Sequence, residues 1–199
     1  MNKQKIRQGT RLILEGIGEN LEREGLVGTP QRVERLLTKL LIGYQEPPKI
    51  IYNEEDKNKY PNHMTLFTNK EKYDQIILRK CNFYSFCEHH LVPFFGTVYV
   101  AYIPKKFIIG MNKIDKVVEY FSGRLQLQER LTMNIADFLD KVLKPKAVMV
   151  VIKARHLCAE LQGDEGSFIT SAIRGGFKEN NTAKEEVLNL IKMDLGGSF

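Results

Sequence analysis

The fold is decided by residues 75–103, QIILRKCNFYSFCEHHLVPFFGTVYVAYI, in which two β-rich segments flank a cluster of cysteine and histidine. The segments Gln75–Cys87 and Thr97–Ile103 are rich in β-branched and aromatic residues, which favour extended strands. Two more segments of this kind, Ala147–Ala154 and Ser167–Ser171, lie later in the chain. We therefore predict that a β-sheet forms the centre of this protein.

Helical patterns lie between and around these strands. Apolar residues recur at helical spacing in Lys113–Phe121 and Leu125–Leu143, and a final helix is predicted for Thr182–Met193. Before the sheet, residues 5–24 carry an amphipathic helical pattern, and Thr29-Pro30 suits the start of a second helix because proline is favoured in the first turn. The combination predicts the α+β class, with an antiparallel sheet carrying helices.

The polar stretch from Gln45 to Asn62, which contains prolines and mixed charges, is predicted to be a loop. It separates an N-terminal helical segment, residues 1–62, from a catalytic region, residues 63–199, and both are expected to belong to one structural domain. A chain of 199 residues of which 43% are hydrophobic has ample material for one core without disulfides.

Composition limits the location and the partners that we expect. The longest apolar run, Ala147–Ile152, is too short to cross a bilayer, so no membrane partner is predicted. Three scattered cysteines cannot build a disulfide framework, which favours the reducing cytoplasm. The net charge of +6 comes from lysine and arginine spread along the chain, so we expect no nucleic-acid partner.

Metal-ligand side chains are concentrated directly after the first strand. Cys87, His89 and His90 lie within four residues, and Cys158 lies far along the chain, close to His156. Zinc is bound by cysteine sulfur and histidine nitrogen, and a catalytic site leaves one of its four positions to water, so two cysteines and one histidine would fit. Side chains two apart in a strand face the same side, so His156 and Cys158 would project together, one to the metal and one to the substrate.

Two other interpretations of this cluster stay open on spacing alone. Each cysteine taken singly is better explained as a small buried hydrophobe, and each histidine as an ordinary hydrogen-bonding residue. A purely structural zinc would need a fourth ligand, which Cys81 or His89 could supply. Three of the four histidines fall in the two cysteine-bearing clusters, which favours a shared chemical role.

Short motifs around the cluster form a series: TPQRV at residues 29–33, CEHHLVPFFG at 87–96, QLQERLT at 126–132, HLC at 156–158 and TS at 170–171. In this order they resemble the GTP cyclohydrolase I family, and the similarity covers about residues 10–193. The resemblance implies the tunnelling fold (T-fold), an antiparallel sheet with helices on one side. It also implies a cytoplasmic homodecamer whose active sites lie between subunits.

The resemblance further implies that Cys87, His90 and Cys158 bind Zn²⁺, and that the metal activates a water for attack on C8 of the guanine ring of GTP. His156 would protonate the purine at N7, and His89 would orient the substrate or shuttle protons. The expected reaction is zinc-dependent hydrolysis of GTP with release of formate, which gives 7,8-dihydroneopterin triphosphate.

A substrate pocket is implied as well. Gln128 and Glu129 match the family pair that recognises the guanine edge, where a carboxylate accepts from N1–H and the exocyclic amine. The positions that match the triphosphate-binding residues are Arg32, Asn112, Lys113, Lys116 and Gln162. Lys116 and Gln162 stand where the family has arginine, so the first loses the bidentate fork and the second loses its charge.

Other functions stay open beside this one. A nitrile reductase of the same fold, acting on a deazapurine with NADPH, would use a nucleophilic cysteine and no zinc ligands. A relative with an altered nucleotide substrate, or a nucleotide-binding domain with a structural zinc, is suggested by Asn112, Lys116 and Gln162.

Overall fold

A computed structural model describes residues 1–45, 49–51 and 63–196 of the chain. Its strands form two sheets, and in chain order they are β1 (Lys49–Ile51), β2 (His63–Thr68), β3 (Ile77–Cys87), β4 (Pro93–Ile103), β5 (Phe107–Ile109), β6 (Leu125–Gln126), β7 (Ala147–His156) and β8 (Ser167–Gly175). The larger sheet has five strands in the order β6-β3-β4-β7-β8, and the smaller has three in the order β1-β2-β5. In the larger sheet the neighbours from β3 to β8 are antiparallel, which confirms the predicted sheet, and the short β6 runs parallel to β3.

Six α-helices accompany the sheets in the described part of the chain, and in order they are α1 (Lys3–Gly16), α2 (Thr29–Leu40), α3 (Met111–Ser122), α4 (Gln128–Leu143), the short α5 (Leu157–Glu160) and α6 (Asn181–Gly196). The predicted α+β class is therefore confirmed. α1 and α2 pack on each other, and the buried carboxylate of Glu34 accepts hydrogen bonds from both Nε and Nη2 of Arg7. None of the helices described is long and apolar enough to span a membrane.

The larger sheet is covered on both faces near its middle, which explains the continuous apolar run in β7. The main core lies between the sheet and helices α3 and α4, with Ile114, Leu131 and Ile135 fully buried. A smaller core on the opposite face contains Val187 and Ile191 of α6. Helices α3 and α4 thus lie on one side, as the T-fold implies, and α6 adds a cover on the other side that was not predicted.

Three strand ends meet at one end of this sheet. Cys87 ends β3 and His156 ends β7, while β4 lies between them and places Phe94 opposite both Ser85 and His156. We call this end of the sheet, marked by Cys87, Phe94 and His156, the cysteine end. β4 and β7 approach closely here because Gly96 has no side chain, and a Cβ on it would overlap the backbone carbonyl oxygen of Lys153.

Several predicted boundaries differ from the observed ones. α1 ends at Gly16 and does not continue to residue 24, because Gly18 adopts a φ of 83°, which a helix cannot contain. α4 begins at Gln128, and the first residues of the predicted helix, Leu125–Gln126, instead form β6 against β3.

The predicted loop at residues 45–62 falls mostly outside the described residues, and so does the proposed division at residue 62, which stays a prediction. Within that stretch, Lys49–Ile51 form β1 and pair in parallel with β2, so the loop prediction is wrong for these three residues. A strand this short has no alternation that a sequence could reveal. The predicted end of regular structure at Gly196-Gly197 also reaches residues that are not described.

Candidate metal centre

Three ligand side chains meet at the cysteine end. One ligand atom each from Cys87, His90 and Cys158 lies within 4.8 Å of the others, and Cys87 Sγ is 3.7 Å from His90 Nδ1. Among the described residues no other group of three or more Cys, His, Asp or Glu side chains is gathered in this way. Two thiols and one imidazole match the donors that zinc prefers, and three protein ligands leave one position of a tetrahedron open.

A tight turn after β3 brings His90 back onto Cys87. The backbone N–H of Leu91 donates to the carbonyl oxygen of Cys87 at 2.9 Å, and the N–H of Cys87 donates to the carbonyl oxygen of Val92 at 2.9 Å. Leu91 adopts a φ of 55°, a left-handed conformation that costs a side-chain-bearing residue about 1 kcal/mol. Cys158 reaches the same point from α5, which begins where β7 ends. The site is therefore built by backbone that is held in place by the sheet.

The thiol of Cys158 is in an environment that disfavours a free thiolate. Burial raises the pKa of Cys158, and the neighbouring Cys87 thiol raises it further. Two thiolates this close repel each other, so a bound cation is the partner that would allow both to ionise. The donor set thus fits a metal better than it fits a pair of isolated cysteines.

The structure tests the two possible fourth ligands. Cys81 lies six residues before Cys87 on β3, about 20 Å away at about 3.3 Å per residue, and its Sγ donates to Asp115 Oδ1 at 3.0 Å. Burial, followed by the hydrogen bond to Asp115, raises the pKa of the Cys81 thiol to about 12. His89 is exposed, with its ring centroid 6.0 Å from that of His90, and lies outside the cluster. Cys81 is thereby excluded as a ligand.

His156 lies beside the cluster between two aromatic rings. Its ring stacks on Phe94 with centroids 4.6 Å apart, and the ring of Phe168 meets it edge-on at 5.3 Å. Burial lowers the pKa of His156, while the negative charge of Glu129 partly offsets that effect. Its Nε2 is 2.8 Å from Oε1 of Gln128, so His156 faces the start of α4 and is not part of the ligand cluster.

The start of α4 contributes three consecutive residues to this region. Gln128 is buried, and Glu129 is exposed. Arg130 makes a bidentate ion pair with Glu88, with N–O distances of 2.6 and 2.8 Å. Glu88 lies in the turn from Cys87 to Leu91, which we call the metal-ligand turn. Glu88 and Arg130 have no role predicted from the sequence, although both lie inside the motifs. A signal was present, since each is an ionisable residue adjacent to a predicted site residue.

The predicted phosphate-binding residues are spread over the molecule. Gln162 lies in the turn after Cys158, and its Nε2 donates to the carbonyl oxygen of Cys158 at 2.6 Å. Arg32 is exposed on α2 and donates to the carbonyl oxygen of Gly25 at 3.0 Å. Asn112 is exposed at the start of α3. Of these residues, the structure therefore places Gln162 beside a metal-ligand residue.

Lys113 and Lys116 lie toward the opposite end of the sheet from the metal ligands. They flank Asp115 on α3, which forms an ion pair with Arg79 of β3 at 2.7 Å. Positions 79 and 87 of one strand are about 26 Å apart at about 3.3 Å per residue, close to the diameter of a small domain. A single chain therefore does not bring these two lysines to its own Cys87.

Comparison with known proteins gives consistent matches. The family model described as GTP cyclohydrolase I matches residues 6–192. The chain is 45% identical over 195 residues to GTP cyclohydrolase 1 of Sulfurihydrogenibium sp. (strain YO3AOP1), covering 96% of each chain. It is also 45% identical over 196 residues to GTP cyclohydrolase 1 of Aquifex aeolicus (strain VF5), covering 96% of this chain and 98% of that one. Among solved structures it is similar to the apo form of the archaeosine synthase QueF-Like, at 22% identity and a TM-score of 0.45, covering 51% of this chain and 94% of that chain.

Proposed function

The chain belongs to the GTP cyclohydrolase I family of enzymes, and from this premise we propose that it hydrolyses GTP at C8 of the guanine ring. The products would be formate and 7,8-dihydroneopterin triphosphate. The observation that carries the proposal is the convergence of Cys87, His90 and Cys158 at the cysteine end, with His156 and Glu129 close by. The long matches to proteins named GTP cyclohydrolase 1 support the same reaction.

In this proposal Cys87, His90 and Cys158 hold a zinc ion. The support is the donor set itself and the crowding of two thiols, which a divalent cation would relieve. A bound zinc ion would supply the Lewis acidity that makes water nucleophilic near neutral pH.

The residues around the cluster would bind the purine and move protons. His156 would carry the proton for N7, since its ring is held between Phe94 and Phe168 and the residue lies two positions before Cys158. Glu129 is exposed, and no hydrogen bond or ion pair within the described residues occupies its carboxylate. It could therefore accept from N1–H and the exocyclic amine of guanine, a donor pair that adenine lacks. His89, exposed on the same turn as His90, would orient the substrate.

The triphosphate would be bound by residues of more than one copy of the chain. Lys113 and Lys116 lie beside Asp115, which pairs with Arg79, and position 79 of β3 is about 26 Å from Cys87, so a neighbouring copy would have to bring its α3 to this site. Among the described strands, β8 is an outer strand of the larger sheet with one unpaired backbone edge, and it exposes Phe168 and Ile169, which supports assembly. Both features agree with the homodecamer that the family resemblance implies.

The test combines metal analysis with a GTP assay on one purified sample. We expect about one zinc per chain, formate released from GTP, and a pterin that becomes fluorescent after oxidation. Cys158→Ser should lose both zinc and activity. Cys81→Ser, which changes a thiol outside the cluster, is the matched control and should keep both. A zinc-loaded sample that yields neither formate nor pterin would contradict the proposal.

One observation favours a relative with an altered nucleotide substrate as the second candidate. Gln162 places an uncharged amide beside Cys158, where the family resemblance implies an arginine for phosphate. Turnover of a nucleotide with fewer phosphates at a higher kcat/KM than GTP would support this alternative. The deazapurine nitrile reductase has less support, because Cys87 and Cys158 both lie in the metal-ligand cluster; NADPH oxidation with a nitrile substrate would reveal it.

A further inference from the structure

Gln128 lies beneath His156 and does not face the open site. Its side chain is buried, with 3% of the residue exposed, and its amide nitrogen and oxygen both have protein partners. Nε2 is 3.2 Å from the carbonyl oxygen of Ile152, 3.1 Å from that of Phe168 and 3.1 Å from Oγ1 of Thr170. Oε1 is 2.8 Å from Nε2 of His156. The amide thus has no free group for a substrate.

The two backbone carbonyls fix which way round the amide lies. The oxygens of Ile152 and Phe168 can only accept hydrogen bonds, so they must face the amide nitrogen of Gln128. The amide oxygen, which cannot donate, is then left against Nε2 of His156. For this 2.8 Å contact to be a hydrogen bond, Nε2 must carry the hydrogen.

A pair of hydroxyl groups reinforces this orientation. Oγ1 of Thr132 donates its one hydrogen to the backbone carbonyl oxygen of Gln128 at 2.7 Å. In the 2.7 Å contact between Thr132 and Thr170, Thr170 must therefore be the donor, which leaves its lone pairs for the amide nitrogen of Gln128. The hydrogen bonds run in one direction around a ring of three residues. Reversing the amide would break this ring and would also place the amide oxygen against the carbonyl oxygens of Ile152 and Phe168, which can only accept.

We propose that Gln128 is a positioning residue that holds the neutral ring of His156 in the tautomer protonated on Nε2. Phe94 stacked on one face of the ring and Phe168 at its edge restrict its rotation. Nδ1 is then the ring atom with the lone pair, so a proton exchanged with substrate passes through Nδ1 while Nε2–H stays bound to Gln128. The family resemblance implies a different role for Gln128, contact with the guanine edge.

The tautomer can be read directly from the ¹⁵N chemical shifts of the histidine ring. Magic-angle-spinning NMR of the full-length, zinc-loaded chain with ¹⁵N-labelled histidine works for large assemblies, and the His156→Gln variant assigns the signals of His156. We expect a protonated shift at Nε2 and an unprotonated shift at Nδ1. A spectrum with the proton on Nδ1 would overturn the inference, whatever the variants do.

The role in catalysis is tested with Gln128→Met, which keeps the length of the side chain and removes its hydrogen bonds. We expect both tautomers to appear and kcat to fall at least about tenfold, since acid–base catalysis contributes roughly 100-fold or more. KM for GTP should change less than about twofold, because Gln128 makes no contact with the bound substrate in this proposal. Gln126→Met is the matched control: Gln126 is equally buried, but its amide donates to Phe121 and Asn134. This control should leave the tautomer unchanged.

The outcomes separate this inference from the proposed function, on which only its catalytic part rests. A raised KM for GTP in Gln128→Met with an unchanged tautomer would overturn the inference and assign Gln128 to the substrate. A protein that shows the Nε2–H tautomer but does not act on GTP would contradict the proposed function and support the tautomer assignment. An active protein with the Nδ1–H tautomer would overturn the inference alone.

Discussion

Gln162 is the predicted phosphate-binding residue that lies beside a candidate metal ligand. Its amide is tied to the carbonyl oxygen of Cys158, and its side chain is exposed, so a longer, charged side chain has room to extend from the same position. A hydrogen bond to a charged group contributes about 1.5–3 kcal/mol, which corresponds to roughly tenfold in affinity or more.

We therefore expect Gln162→Arg to lower KM for GTP by roughly tenfold, with little change in kcat. Steady-state kinetics with GTP measures this. Gln8→Arg adds the same charge on α1, which is distant from Gln162 in the sequence, and should leave KM for GTP unaltered. An unchanged or higher KM in Gln162→Arg would show that no phosphate approaches this position.

Gly96 controls how closely β4 and β7 approach each other. A methyl group there would overlap the carbonyl oxygen of Lys153, and these are backbone atoms that cannot turn aside. Gly96→Ala should lower the free energy of unfolding by about 1–3 kcal/mol. Gly9→Ala is the control, because nothing lies within 4 Å of the added methyl and alanine favours α1. Thermal unfolding of both variants is the measurement, and equal Tm values would refute the overlap.

At the scale of elements, the ion pair between Glu88 and Arg130 joins the metal-ligand turn to the first turn of α4. Hydrogen bonds from Arg130 lower the pKa of Glu88 below its ordinary value. The stabilising effect of this pair is therefore complete above the ordinary pKa and is lost as the pH falls through the lowered value. At neutral pH the pair links the turn that carries Cys87 and His90 to the first turn of α4, which carries Glu129.

Arg130→Glu reverses one charge and should weaken zinc retention and lower kcat by about tenfold, as do other substitutions of residues that position metal ligands. Glu88→Arg combined with Arg130→Glu restores the attraction and should recover part of both losses. The exposed pair of Arg23 and Glu19, with an N–O distance of 3.1 Å, supplies the control variant Arg23→Glu. Zinc content after dialysis and kcat are measured. Absence of any recovery in the double variant would contradict a positioning role.

The sequence predicted elements whose signal is local. The apolar run in β7 and the helical spacing in α3 and α4 are such signals, and the structure contains all three elements. β1, β5 and β6 have three, three and two residues, and long-range pairing alone makes them strands. α6 was predicted as a helix, but its position on the second face depends on Tyr99 and Met149, which a one-dimensional pattern does not reveal.

The candidate site also combines features that the sequence indicated with features that depend on contacts between distant strands. The motifs indicated the grouping of Cys87, His90 and Cys158, and the structure brings these three together. The burial of Gln128 could not be predicted, because its partners Ile152 and Thr170 come from two other strands. A polar residue next to a substrate-binding carboxylate is expected to be exposed unless such partners exist.

At the scale of the whole molecule, one chain brings together the three candidate metal ligands but does not bring Lys113 and Lys116 to them. Zinc binding and GTP turnover should therefore respond differently to loss of assembly. Ile169→Arg places a charge on the exposed outer strand, where Ile169 is 65% exposed. It should shift the protein toward single chains of 23.0 kDa, abolish GTP turnover and leave zinc content unaltered.

Sedimentation velocity, zinc analysis and the GTP assay on the same samples check this prediction. Lys70→Glu changes a charge on another exposed surface and should preserve assembly and turnover. A wild-type protein that sediments as a single chain and is fully active would refute the shared site.

The proposed metal ligands lie on two segments of the chain, with α3, α4 and the whole of β7 between them. During synthesis on the ribosome, Cys87 and His90 emerge long before Cys158. A nascent chain that ends before Ala147 has two of the three ligands, and its β4 lacks the partner strand β7. Coordination by the full set is thus confined to a polypeptide from which Cys158 has already emerged, and the zinc supply of the cell would act on that stage of protein maturation.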